Sequence, residues 1–142
     1  MEAALAEARL AASQNEVPVG AVISRNGDVL AQAHNETVAR RDPTAHAELL
    51  AIQQALLAAT TDRLEDCTLY VTLEPCAQCA GALVLAKVGR VVFGAYDEKA
   101  GMCGSVGDLV RHPRLNHRLE VAGGVLEAAC GALLTAFFKA KR

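Results

Sequence analysis

Cys67-Thr68-Leu69-Tyr70-Val71-Thr72-Leu73-Glu74-Pro75-Cys76-Ala77-Gln78-Cys79 is the stretch on which the fold turns. Its first seven residues are rich in β-formers and contain no breaker, which reads as a buried strand, Cys67–Leu73. Pro75 then marks a helix start, because its fixed φ suits a first turn and its missing N–H costs nothing there. A strand running straight into a helix is one step of an alternating α/β chain. Cys76 and Cys79, three apart on that helix, share a face.

Working outward, Asp42-Pro43 opens an earlier helix, with Asp42 as cap and Pro43 at the first helical position. Leu49, Leu50, Ile52, Leu56 and Leu57 carry it to about Ala59. His46 and Glu48 fall in its opening turn. Residues two apart on a helix point roughly 200° away from one another, so this helix must aim its N-terminal end at anything both side chains reach. Before it, residues 17–23 and 29–33 flank Asn26-Gly27, a pair suited to a tight hairpin because both accept positive φ. Residues 2–13 read as a helix with a modest apolar stripe through Leu5 and Leu10. Downstream, the cysteine helix continues through Leu83, Val84 and Leu85 to Lys87, with Gly89 as its stop, and Arg90–Ala95 is a second buried strand. Residues 101–107 are a Gly-rich loop, 119–121 a short last strand, and Leu126, Cys130, Leu133, Leu134, Phe137 and Phe138 trace one face of a closing helix. Helices alternating with strands after a hairpin predict an α/β fold, a mixed sheet covered on both faces.

The 142 residues fit one domain, 1–142, and 52% apolar against 21% charged residues excludes any long disordered tract. With 14 Lys+Arg against 16 Asp+Glu the net charge is −2, so contact with a nucleic acid must be local. Arg111, Arg114 and Arg118 form one basic cluster, and Lys139, Lys141 and Arg142 another; such clusters are usually solvated faces. An odd count of five cysteines, with no charged-then-apolar leader over residues 1–10, predicts a reducing, cytoplasmic setting. Gln53, Gln54, Lys87 and Glu127 break every apolar run short of a bilayer's width, so no membrane role is expected.

One imidazole and two thiolates, His46, Cys76 and Cys79, are three good zinc ligands, and zinc prefers four. A three-ligand site keeps a vertex open for water, the mark of catalysis. Glu48 is then spare and free to move protons as a general acid/base. The positive ends of two helices favour the thiolates. Either motif alone is weak, since Cys-x-x-Cys also serves redox proteins and zinc fingers. Together, His-x-Glu followed by Pro-Cys-x-x-Cys is the established signature of zinc nucleobase deaminases, in which hydroxide attacks an amino-bearing ring carbon and ammonia leaves. Cys67, Cys103 and Cys130 read as small buried or loop residues, not ligands. Asn35, taken alone, reads as a strand-end asparagine serving the backbone.

Around these motifs a wider match carries a resemblance. Glu16-Val17-Pro18-Val19-Gly20-Ala21-Val22, residues 42–48 and 68–76, Arg90–Ala95, and His112-Pro113 with Asn116-His117-Arg118 are similar to the bacterial tRNA-specific adenosine deaminase family of the cytidine/deoxycytidylate deaminase superfamily. The resemblance implies a cytidine-deaminase-like three-layer α/β/α sandwich around a five-stranded mixed sheet, usually as a homodimer with one Zn2+ per subunit. It implies deamination of the wobble adenosine of a tRNA anticodon stem-loop to inosine. It also implies zinc ligation by His46, Cys76 and Cys79 and proton transfer by Glu48, with base contact by Asn35 and contact to the neighbouring ribose by Asp97. His112 and Asn116 match positions that meet the anticodon loop, and Phe138, with Lys139, matches the family's C-terminal helix. Ala77-Gln78 departs from the bulkier apolar pair common between the cysteines, and Tyr96 from a position often basic. Two other readings stay open: a deaminase of a free base or nucleoside of guanine, adenine or cytidine type, and a non-catalytic zinc or RNA-binding module. A purely structural site has no use for Glu48, which counts against the last.

Overall fold

The computed structural model describes residues 1–142. Five strands form one sheet in the order β2-β1-β3-β4-β5: β1 Gly20–Arg25, β2 Asp28–His34, β3 Cys67–Leu73, β4 Arg90–Ala95 and β5 Glu120–Ala122. Strand β1 pairs antiparallel with both β2 and β3, whereas β3, β4 and β5 are parallel. It follows that β2 to β5 share one direction and β1 alone opposes them. Helices α1 (Glu2–Ser13) and α4 (Glu127–Ala140) cover one face, and α2 (Ala47–Ala59) and α3 (Ala77–Leu85) the other. This is the three-layer α/β/α sandwich with a mixed five-stranded sheet that the alternation of elements and the resemblance predicted.

The hairpin turns where the sequence places it, at Asn26 (φ 52°) and Gly27 (φ 83°), with positive φ at both residues as a two-residue turn requires. Strand β1 begins at Gly20 rather than at residue 17, because Pro18 has no N–H to give a ladder and Val19 N–H turns back onto the Val17 carbonyl at 2.8 Å. Ile23 faces Ala31 and Ser24 faces Val29, which leaves Leu30 as the extra residue of a β-bulge. The last strand lies one residue later than the sequence reading put it.

Two helix starts move by more. Asp42 does not cap α2: its Oδ1 accepts from the N–H of Thr44 at 2.9 Å and closes a separate turn, and the helix opens after His46, whose backbone is extended (φ −78°, ψ 150°). Likewise α3 opens after Cys76, not at Pro75, and ends at Leu85. Its stop is Lys87 at φ 57°, with Val88 N–H bonded back to the Leu83 carbonyl at 3.1 Å. Gly89 has a different task, since a Cβ there would lie 2.2 Å from the Glu65 carbonyl oxygen. On α1, Leu5 is buried as its stripe predicts, but the rest of the buried face is alanine. Leu10 is exposed, and Ala4, Ala8 and Ala11 face the sheet. Those small residues let the helix sit so close that a Cβ on Gly20 would fall 2.0 Å from the Ala4 carbonyl oxygen. On α4 only Cys130 is buried; Leu133, Leu134 and Phe137 are half-buried, and Leu126 and Phe138 lie outside the apolar face assigned to them. The main core lies between the sheet and α2/α3, with Leu50, Ile52, Leu69, Leu83, Val91 and Phe93 among its members.

Candidate metal centre and active site

Strands of one direction deliver their ends to one place. The carboxyl ends of β2, β3 and β4 lead into Asn35, Glu74 to Cys76, and Asp97, and the segment before the opposed strand β1 supplies Val17 and Val19. Crevices outside the carboxyl ends of parallel strands are the usual ligand sites of α/β sheets. Here the crevice is a cavity of about 570 Å³ walled also by Val38, Arg41, His46, Glu48 and Leu73.

His46 and Cys76 are the N-terminal caps of α2 and α3, and Cys79 lies in the first turns of α3, so both helix N-termini face the same point. His46 Nδ1 stands 3.5 Å from Cys76 Sγ and 3.5 Å from Cys79 Sγ, and the three donor atoms lie within 4.8 Å of one another. In a tetrahedral zinc site, nitrogen at about 2.05 Å and sulfur at about 2.3 Å from the ion are about 3.6 Å apart, so the spacing fits. The two thiols respond to this closeness in opposite directions. Hydrogen bonds from Cys79 and then from His46 draw Cys76 down to about 3. The same bond to Cys76, together with burial, drives Cys79 far up. His46 is raised, first by its bond to Cys76 and then by the nearby Glu48 against the opposing effect of burial.

Glu48 is buried and faces the cavity, and desolvation pushes its carboxyl above the ordinary range. Asn35 is 6% exposed; its Nδ2 reaches Thr37 Oγ1 at 3.5 Å and its Oδ1 has no partner at all. A buried, unpaired acceptor is costly unless something else fills it. Asp97 lines the wall, and its Oδ1 accepts from the N–H groups of Lys99 at 3.0 Å and Ala100 at 3.1 Å. His112, Asn116 and Phe138 do not line the cavity. His112 Nδ1 accepts from Arg114 N–H at 3.1 Å, Asn116 is exposed, and the Phe138 ring packs edge-on to Phe137.

Two residues that the sequence reading passed over hold the walls. Glu16, 1% exposed, accepts from Val38 N–H at 3.0 Å and Ala39 N–H at 2.8 Å and so pins the loop that carries Arg41. Glu74, equally buried, accepts from Asp97 N–H, Cys103 N–H and Ser105 N–H, each at 3.1 Å, and from the Ser105 hydroxyl. Burial alone would raise the Glu74 pKa, but the Ser105 hydroxyl and these N–H groups outweigh it and hold the carboxyl low. A buried acid read from sequence is indistinguishable from a solvated one; the signal available was Glu74 wedged between a buried strand and Pro75.

The sandwich and the His/Cys/Cys donor set beside a buried carboxylate define the cytidine-deaminase-like class. Comparison with known proteins narrows this. The model of the MafB19-like deaminase family matches residues 1–142. The tRNA-specific adenosine deaminase of Bacillus subtilis (strain 168) is 50% identical over 142 residues, covering all of this chain and 88% of that protein. A solved structure from work on A-to-I editing by tRNA:A34 deaminases at the wobble position superposes with a TM-score of 0.88 at 40% identity, covering 94% of this chain and 97% of the other. A guanine deaminase from Nitrosomonas europaea has a TM-score of 0.78 at 25% identity, covering 94% and 80%. This chain belongs to the MafB19-like deaminases and, among them, to the tRNA-specific adenosine deaminase family.

Proposed function

We propose that the protein hydrolyses the wobble adenosine of a tRNA anticodon stem-loop to inosine, with one zinc ion held by His46, Cys76 and Cys79. The carrying observation is a triad of ligand atoms within 4.8 Å of one another, the imidazole nitrogen 3.5 Å from each sulfur, beside a buried carboxylate on the wall of a nucleoside-sized cavity. When bound, zinc supplies Lewis acidity at the reacting centre. The chain's own groups do the rest. Glu48 takes a proton from the attacking water and delivers it to N1 of the purine, then passes the remaining proton to the departing amino group, so that water adds at C6 and ammonia leaves. Asn35 Oδ1, otherwise unpaired, accepts a hydrogen bond from the substrate nucleoside, and Asp97 meets the neighbouring ribose.

The RNA part of the reading has its own support. Four acidic side chains, Asp42, Glu48, Glu74 and Asp97, line the cavity, and Arg41 makes no ion pair and no side-chain hydrogen bond. A phosphate flanking the target nucleotide is the group such a cation suits, whereas a free base offers it nothing. The remainder of an anticodon loop lies outside the cavity, where His112, Asn116 and Phe138 offer surface groups to it. Leu57 and Leu85, 82% and 83% exposed at the ends of α2 and α3, support a homodimer that covers them.

A deaminase of free guanine is the second reading, favoured by the fold shared with the Nitrosomonas europaea enzyme. Zinc-loaded protein incubated with an adenosine-34 stem-loop and, separately, with free bases and nucleosides decides between them: inosine in the RNA supports the first reading, and ammonia from guanine alone the second.

A further inference from the structure

We propose that Gln78, between the two cysteines, is a positioning residue that clasps the two halves of the metal centre together. The inference rests on the reading of His46, Cys76 and Cys79 as a metal site. Those ligands come from segments 30 and 33 residues apart, the turn before α2 and the start of α3. Apart from the ligand atoms' own contacts, one hydrogen bond joins these segments: Gln78 Nε2 donates to the Thr44 carbonyl at 3.0 Å. That carbonyl is a junction, because the backbone N–H of His46 donates to it as well, at 2.7 Å. Thr44 is itself fixed, its N–H and hydroxyl both donating to Asp42 Oδ1 at 2.9 and 2.6 Å.

The same Gln78 nitrogen lies 3.8 Å from Cys79 Sγ, within reach of an N–H···S bond. A primary amide has two N–H donors, so one nitrogen serves the carbonyl and the sulfur together. A carbonyl and a metal-bound thiolate are both acceptors, and this fixes which way the amide points. Gln78 therefore touches a ligand sulfur with one hydrogen and the support of the ligand imidazole with the other. Partners of this kind orient ligands and tune their donor strength, and their loss typically costs about 10- to 100-fold in metal affinity. An apolar residue at this position can fill the space and make neither bond.

Zinc affinity measured by competition with a chromophoric chelator, together with the absorption spectrum of the cobalt(II) form, tests the assignment. Gln78→Met keeps the length of the side chain and removes its donors. Gln78→Glu keeps the shape and sets an acceptor oxygen against both the carbonyl and the sulfur. We expect Gln78→Met to bind zinc about 10- to 100-fold more weakly. Gln78→Glu should bind more weakly still. Both should shift the cobalt sulfur-to-metal band, and the metal-free proteins should melt as the wild type does. Should Gln78→Met not fold, Gln78→Glu carries the test alone. Wild-type zinc affinity to within about twofold, with a superimposable cobalt spectrum, in whichever variant folds overturns the clasp and leaves the metal centre standing. A wild type that binds no divalent ion overturns both.

Discussion

Asn35 and Glu48 are two buried polar residues on one cavity wall, and they differ in how far a sequence can reveal them. Glu48 is legible because an acid two residues from an imidazole, with Pro-Cys-x-x-Cys downstream, has a chemical reason for that spacing. Asn35 has no such reason on the page of the sequence, where an asparagine closing a strand has an ordinary backbone role; only the folded protein sets its Oδ1 in a buried position with no partner among the protein's own groups. Two outcomes follow at this scale. Glu48→Gln retains stoichiometric zinc by elemental analysis while kcat for inosine formation falls about 100- to 10,000-fold; loss of the metal in this variant contradicts its role as proton shuttle. Asn35→Ala, which removes an unpaired acceptor, leaves the melting temperature nearly unchanged and weakens substrate by about 1–3 kcal/mol, read as a rise in KM. A large drop in stability with KM unchanged would make Asn35 a structural residue instead.

Among the elements, strands β3 and β4 lie within the bounds their sequence predicts, because short apolar runs ended by Glu-Pro or preceded by glycine leave little freedom. Helices α2 and α3 begin later than expected for one shared reason: each is capped by a metal-ligand candidate, His46 or Cys76, rather than by a Ser, Thr, Asp or Asn. Histidine and cysteine carry no capping signature, so Asp42-Pro43 and Glu74-Pro75 drew the boundary to themselves. Left-handed Lys87 and Leu126 end or open helices without a glycine and were illegible for the same kind of reason, whereas α2 ends at Ala59, where its apolar periodicity stops. The loops depend on the buried glutamates. Replacing Glu16 by Ala leaves the Val38 and Ala39 N–H groups without their carboxylate acceptor; both residues are exposed and water can replace it, so about 0.5–1.5 kcal/mol should be lost for each bond, with faster hydrogen exchange confined first to Val38 and Ala39. Exchange at those amides equal to wild type would show that Glu16 does not hold the loop. Gly20→Ala forces α1 off β1 and should cost about 1–3 kcal/mol or more by denaturant unfolding.

For the whole molecule, the feature no local pattern discloses is strand order. Alternation of helix and strand predicts a covered sheet, but only the reversed strand β1 between β2 and β3 brings Asn35 to the same edge as Cys76 and Asp97. The cysteines show the global arrangement from another side. Cys67, Cys79, Cys103 and Cys130 are buried and Cys76 is half-buried, while burial pushes Cys67 up to about 11 and Cys103 up to about 12. Both of these stay neutral thiols at pH 8 and become reactive only as pH climbs toward those values. Iodoacetamide at pH 8 should label Cys76 first in metal-free protein, zinc should protect it, and peptide mass spectrometry reads the order; labelling at Cys103 before Cys76 contradicts the packing described. The central claim joins a His/Cys/Cys centre and a buried carboxylate to one chemical outcome on RNA. Its most direct measurement is the nucleoside content of an anticodon stem-loop bearing adenosine at the wobble position after incubation with zinc-loaded protein. Inosine at that position, abolished by Glu48→Gln and by prior removal of the metal, is the predicted result; adenosine left unchanged by fully loaded wild-type protein would contradict it.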